Sequence, residues 1–279
     1  MKLIALRYFI IRNPGSLLST SEVTPIDSIL DVFHDRTTIT YYGKTYYAIV
    51  TNHRDEDIWI GFLLRSTHTD VIVPAKNEFD KQRIPNWEEC FLAIDTINQS
   101  ILVQNIAGSF TPDLVKNVIN ELLETKARVF DITAKVELIC NKEAFWSTYN
   151  KATKRFKIAF TLNAPNLFGA RQATNAYLKE LKLITNMDKL HSSVENEEGM
   201  LSVPKEILED IVKYADDGGG NWSQTTEENG KRKNTTSNLA AIKENADIDI
   251  DTPKQLKDKY EYVHTIVKGI FKRFAVKDE

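Results

Sequence analysis

Cysteine is scarce in this chain: two among 279 residues, Cys90 and Cys140, each set in an apolar stretch. Thiols so placed read as core residues and argue against a disulfide framework. Eleven glycines and eight prolines are too few for a collagen-like or low-complexity fibre. No apolar run approaches the roughly 18–20 residues of a membrane span. Arg7 and Arg12 interrupt the apolar start before a signal-peptide core can form, so a cytoplasmic protein without membrane contact is expected. An excess of one charge is missing too. Against 39 Asp+Glu stand 36 Lys+Arg, a net charge of -3 that excludes a uniformly basic surface.

The signatures of common chemistries are absent as well. There is no Walker A sequence, no Gly-x-Ser-x-Gly elbow and no Gly-x-Gly-x-x-Gly fingerprint. Gly218-Gly219-Gly220 lacks the preceding strand and following helix of a phosphate cradle, and reads as a turn. The histidines His34, His53, His68, His191 and His264 are scattered, with no cysteine nearby to complete a zinc site. No catalytic residue, metal site or cofactor is assigned from the sequence, and a non-enzymatic role is the leading expectation.

What is present is a clear alternation of elements. Thr24-Pro25, Thr111-Pro112 and Thr252-Pro253 each offer a hydroxyl N-cap followed by proline at the first helical position. After Thr111, the residues Leu114, Val115, Val118, Ile119 and Leu122 form one apolar stripe. After Thr252, a long helix reaching Phe274 is expected, with Leu256, Tyr260, Val263, Val267, Ile270, Phe271 and Phe274 on one face. Strands are expected over residues 2–12, in a meander over 37–66 with a type II′ turn at Gly43-Lys44, and in a hairpin over 88–95 and 100–105. A helix from Thr111, a strand near 130–140, a helix over Lys142–Asn150 and a strand over Phe156–Leu162 follow. Two more helices are expected near 168–185 and 203–214. Residues 219–238, polar except for Trp222, predict a hairpin-like segment, a mobile loop or a solvated two-stranded flap, with Glu228-Asn229-Gly230-Lys231 at its tip.

The expected class is α+β: mainly antiparallel sheet with helices packed on one face, a polar flap and a long C-terminal helix. Three parts are expected: a β-rich 1–85, an α+β 86–165, and a helical 166–279 carrying the flap at 218–240.

Two acidic features are weighed for metal chemistry. Asp95 ends the apolar strand Phe91-Leu92-Ala93-Ile94, as the first carboxylate of a two-metal nuclease would, with Glu137 and Asp131 as possible companions. Hairpin-turn aspartates are commoner, because aspartate bonds its own turn backbone. Asp247, Asp249 and Asp251 alternate with Ile248 and Ile250 and would share one strand face, either a hard-cation site or a solvated edge.

Charge is more informative by region. Lys142, Lys151, Lys154, Arg155 and Lys157 face only Glu143 across 142–157. Lys231, Arg232 and Lys233 cluster at the flap tip, and Lys268, Lys272 and Arg273 near the end of the last helix. Residues 195–217 are acidic by contrast. These eleven cations, with Trp146, Tyr149 and Trp222 interleaved, are candidates for phosphate contact and base stacking.

The segment over roughly residues 88–240 resembles an uncharacterised prokaryotic domain family found around mobile elements and phage-defence loci. The matching residues are Phe91-Leu92-Ala93-Ile94-Asp95, Ile101-Leu102-Val103, Thr111-Pro112 and Val136-Glu137-Leu138-Ile139. Arg155 to Phe160 leading into Asn163-Ala164-Pro165-Asn166, then Tyr214-Ala215-Asp216-Asp217-Gly218-Gly219-Gly220-Asn221 and Asn229-Gly230-Lys231, complete the order. The resemblance implies a cytoplasmic antiviral-defence protein that senses or binds nucleic acid or a phage component. It lends no catalytic residues. A divergent nuclease using Asp95, and an assembly module pairing with a partner or a second copy through Thr252–Phe274, are the alternatives.

Overall fold

The computed structural model describes residues 1–12, 29–50, 57–75, 78–130, 132–163, 173–185, 187–250 and 252–275. The Thr24-Pro25 helix start, Asp131 and Asp251 lie outside them.

The larger sheet has eight antiparallel strands: β1 (Lys2–Arg12), β2 (Thr38–Tyr41), β3 (Lys44–Val50), β4 (Ile58–Ala75), β5 (Glu78–Asp95), β6 (Ser100–Gln104), β7 (Ile132–Leu138) and β12 (Lys243–Asn245). Their order is β12-β1-β6-β5-β4-β3-β2, with β7 also on β1. On one edge β1 pairs with β6. On the other it pairs with β12 over residues 2–4 and with β7 over residues 6–12. The sheet thus takes strands from all three expected parts of the chain.

Apolar residues occupy both faces of these inner strands, so both faces must be covered. On one, Ile4, Leu6, Tyr8 and Ile10 of β1 meet Val115, Val118, Ile119 and Leu122 of α1 (Pro112–Ala127). On the other, Leu3 and Ala5 join Ile60, Phe62 and Phe91 beneath α5 (Pro253–Asp258) and α6 (Tyr260–Phe274). Helices therefore sit on both faces of this sheet, where the sequence pattern suggested one. The expected long terminal helix is two, broken at Lys259, whose φ of -110° and ψ of 16° leave the helical region. Of its apolar stripe, Leu256, Val263, Val267, Ile270 and Phe271 lie buried on the sheet, while Tyr260 and Phe274 are half-buried at its margin. That stripe is core, and an assembly through it has no free face to use.

α1 also guards an exposed flank. Glu124 Oε1 accepts from the Ala134 amide at 2.8 Å, and Asn120 Oδ1 from the Val136 amide at 3.1 Å. Side chains thereby cap the outer amides of β7, which would otherwise offer an open edge. Replacing Glu124 by leucine should cost about 1–3 kcal/mol through the stranded Ala134 amide, measured by urea denaturation. An unchanged midpoint would show that the cap is dispensable.

The β4–β5 hairpin runs past the sheet. From Ser66 and Trp87 outward the two strands pair only with each other, to Ala75 and Glu78, a ribbon about 30 Å long. The β2–β3 turn is Tyr42-Gly43, with φ of 46° and 70°. Two positive φ values make it type I′, correcting the expected II′ turn at Gly43-Lys44.

The smaller sheet has the order β11-β10-β8-β9, from β8 (Lys154–Asn163), β9 (Lys189–Glu195), β10 (Gly220–Glu228) and β11 (Lys231–Thr236). On one face α2 (Lys142–Lys151), α3 (Ala173–Thr185) and α4 (Lys205–Tyr214) bury Phe145, Ile158, Phe160, Leu178, Leu208, Val212 and Trp222. The expected flap is a hairpin with its tip at Asn229-Gly230, as its sequence suggested, but its first strand is interior where a solvated one was expected. β10 alternates buried and half-buried, and the buried Gln224 donates from Nε2 to Phe145 O at 3.0 Å while its Oε1 has no partner. No helix among the described residues is long and apolar enough to cross a membrane.

Candidate anion-binding cleft

Where the two sheets meet, Tyr214 leads into a single π-type turn over Ala215–Gly219 and then into β10. The glycines there answer to space. Gly218, at φ 92°, presses on Arg7, whose Cβ would lie 2.7 Å from an added Cβ, and one on Gly220 would lie 2.2 Å from Thr161 O. Asp216 of the turn is fully buried. Its Oδ1 accepts from Trp222 Nε1 at 2.8 Å, while Oδ2 has no partner. Burial lifts the Asp216 carboxyl to about 7, a rise that the Trp222 bond opposes and the neighbouring Asp217 adds to.

Beside this turn opens a cleft of about 990 Å³. Five cationic side chains line it, Arg7, Lys142, Lys213, Lys243 and Arg273, against the carboxylates Glu143 and Asp217. They come from β1, α2, α4, β12 and α6. Lys142 pairs with Asp217 at 3.0 Å and Arg273 with Glu244 at 2.9 Å. The rim cations are well exposed. Arg7 is different: only 9% of it reaches solvent, its Nη2 donates to Phe274 O at 2.8 Å, and its Nε has no partner. Burial lowers the pKa of this guanidinium from its ordinary value, while Asp217 and then Asp95 raise it. No carboxylate among the described residues pairs with it directly. The attracting carboxylates Asp217 and Asp95 thus act on it without an ion pair, which leaves the guanidinium able to pair with a further anion.

Of the eleven cations expected from sequence, the cleft gathers Lys142 and Arg273. Lys268 and Lys272 lie exposed on α6, and Lys151 at the end of α2. The remaining six belong to the smaller sheet, where antiparallel pairing alternates them with acids. Arg232 and Lys154 both register with Glu227, Lys231 with Glu228 and Lys157 with Glu195. Lys157 forms an ion pair with Glu195. Arg155 lies 4.4 Å over the Tyr149 ring with Nε donating to Tyr149 O, and Arg232 lies 4.2 Å over Phe156. Lys233 is exposed opposite Thr226. Trp222 is buried in the core and is no stacking platform; Tyr149 is half-buried, its hydroxyl bonding Val203 O at 3.1 Å and its ring covered by Arg155. Trp146 packs against Phe145 and Tyr149, with the Lys205 ammonium 5.5 Å over its ring.

The carboxylates weighed for metal chemistry have structural partners. Asp95 caps its hairpin turn, accepting from the Asn98 amide and from Asn98 Nδ2, both at 2.8 Å. Glu137 accepts from Asn163 Nδ2 at 3.3 Å and pairs with Lys116 at 3.4 Å. Asp247 bonds the Tyr262 hydroxyl at 3.2 Å, while Asp249 is exposed and its carbonyl accepts from Lys259. Among the described residues no group of three or more His, Cys, Asp or Glu is placed to hold a metal ion. Both cysteines are free and buried, and burial pushes both thiols up.

Arg7, Lys213 and Lys243 escaped the sequence reading because they stand alone in sequence. A signal existed only for Arg7, a charge inside the apolar run Leu3-Ile4-Ala5-Leu6-Arg7-Tyr8-Phe9. No family model matches the chain, and no curated protein matches it.

Proposed function

We propose that the protein is a non-enzymatic nucleic-acid-binding subunit that uses this cleft as its contact surface, and that it acts in prokaryotic antiviral defence. The observation that carries the binding role is the convergence of five cations from five elements on one cleft in a chain of net charge -3. Cations placed so contact phosphates without sequence readout and release counterions on binding. The defence setting rests on the sequence resemblance alone.

Filter binding to single- and double-stranded DNA and RNA at two salt concentrations tests the role. With four phosphate contacts, affinity for a single strand should fall roughly fifty-fold between 50 and 200 mM salt. Lys213→Glu and Lys243→Glu, at positions where no acid partner is disturbed, should each weaken binding and flatten the salt slope by about one. Retention of none of the four nucleic acids, or retention indifferent to salt, would refute the role.

A further inference from the structure

We propose that Arg7 seats a phosphomonoester, the terminal phosphate of a nucleic-acid strand, within the cleft; this rests on the cleft being the nucleic-acid surface. Three observations lead there. Arg7 is nine-tenths buried yet lines the cleft, and no carboxylate among the described residues forms an ion pair with it, Asp217 and Asp95 acting on it only without direct pairing. Its one hydrogen bond, to Phe274 O at the end of α6, fixes the side chain while leaving donors of the fork unused. The first turn of α2, Lys142 to Ala144, lines the same cleft behind its Asn141 cap, so the positive end of a ten-residue helix faces the same space.

The depth of Arg7 selects the form of the ligand. An internal phosphodiester carries a nucleoside on each side, and both would have to follow it into the cleft. A terminal phosphate enters first and alone, with close to two negative charges and three acceptor oxygens. A planar guanidinium is suited to such a group. Rim residues Lys213 and Lys243 are then placed to meet the next phosphates of the strand. Glu143 and the Lys142-paired Asp217 oppose any larger anion, which favours one compact phosphate over a polyphosphate cluster.

Fluorescence anisotropy with ten-nucleotide poly-dT and poly-U strands tests the seat, each made with a 5′-phosphate, a 3′-phosphate or hydroxyls at both ends. One phosphorylated form should bind at least about tenfold tighter than the hydroxyl form. In Arg7→Met that ratio should fall to one, and Arg7→Lys, which keeps charge without the fork, should fall between. The wild-type comparison decides the matter even if the Arg7 variants fold poorly. Equal binding of all three forms by the wild type overturns the seat and leaves the cleft's general role standing. Binding of no form overturns both. Thymidine monophosphate or uridine monophosphate competing as strongly as the strand would overturn the strand-end assignment in favour of a free nucleotide.

Discussion

Gly220→Ala should leave the smaller sheet unable to assemble, at a cost of about 4 kcal/mol or more. The reason is space and not backbone conformation. Gly220 has an extended backbone, with φ 168°, which any residue can adopt. An added methyl, however, would stand 2.2 Å from Thr161 O and 2.9 Å from Leu162 Cα. Both atoms are backbone of β8, the strand that Gly220 pairs with, so no rotamer change relieves the clash. Urea denaturation with near-ultraviolet circular dichroism, which reports buried Trp222, measures the loss. Gly269→Ala is the control, because that exposed position in α6 has open space around it. There alanine should stabilise by about 0.5–1 kcal/mol. Equal midpoints for the two variants would show that β8 and β10 can separate freely.

The second large effect concerns pH. Asp216 folds into a site that raises its carboxyl from 3.8 to about 7, burial being the main cause. A raised value means that the folded state prefers the protonated form. Well below pH 3.8 the carboxyl is neutral in both states and no penalty exists. As pH rises the unfolded chain ionises first, so stability is lost progressively until the folded group also ionises near 7. The difference corresponds to about 4 kcal/mol at the upper end of that window. Asp216→Asn keeps an acceptor for Trp222 Nε1 and cannot ionise. It should equal the wild type near pH 3, exceed it increasingly up to about pH 7 and hold that lead above, followed by thermal unfolding. Parallel curves for the two proteins from pH 5 to 8 would show that Asp216 stays neutral, or finds a partner, throughout.

Elements that announce themselves locally were legible. Thr111-Pro112 does open a helix, and Val115, Val118, Ile119 and Leu122 are its buried face. Asp95 caps its hairpin, the commoner of the two roles its sequence context suggested. The α+β class follows from such elements. The rest depends on which strands meet. β10 reads as solvated because Ser223, Gln224, Thr225 and Thr226 carry no apolar signal, yet pairing with β8 places it inside. The outer ribbon of β4 and β5 was hidden by Pro74, Pro85 and frequent charges, which the paired strands accommodate with β6 and β3 left behind. Charge windows failed for the same reason. Counting Lys231-Arg232-Lys233 along the chain misses Glu227 and Glu228, which face them across the hairpin. The cleft was invisible because each of its elements contributes a single cation.

The placement of β1 also bears on how the molecule comes into being. Residues 2–12 precede all their partners in sequence, which lie at 100–104, 132–138 and 243–245. Pairings so distant carry a large loop-closure cost before any contact repays it, which slows folding. During synthesis this strand must wait with unpaired edges until β6 and β7 have emerged, and the edge of residues 2–4 stays open until residue 245 has emerged. An apolar strand exposed for that interval is a natural substrate for chaperone capture, and truncated chains ending before residue 243 would keep part of that edge open.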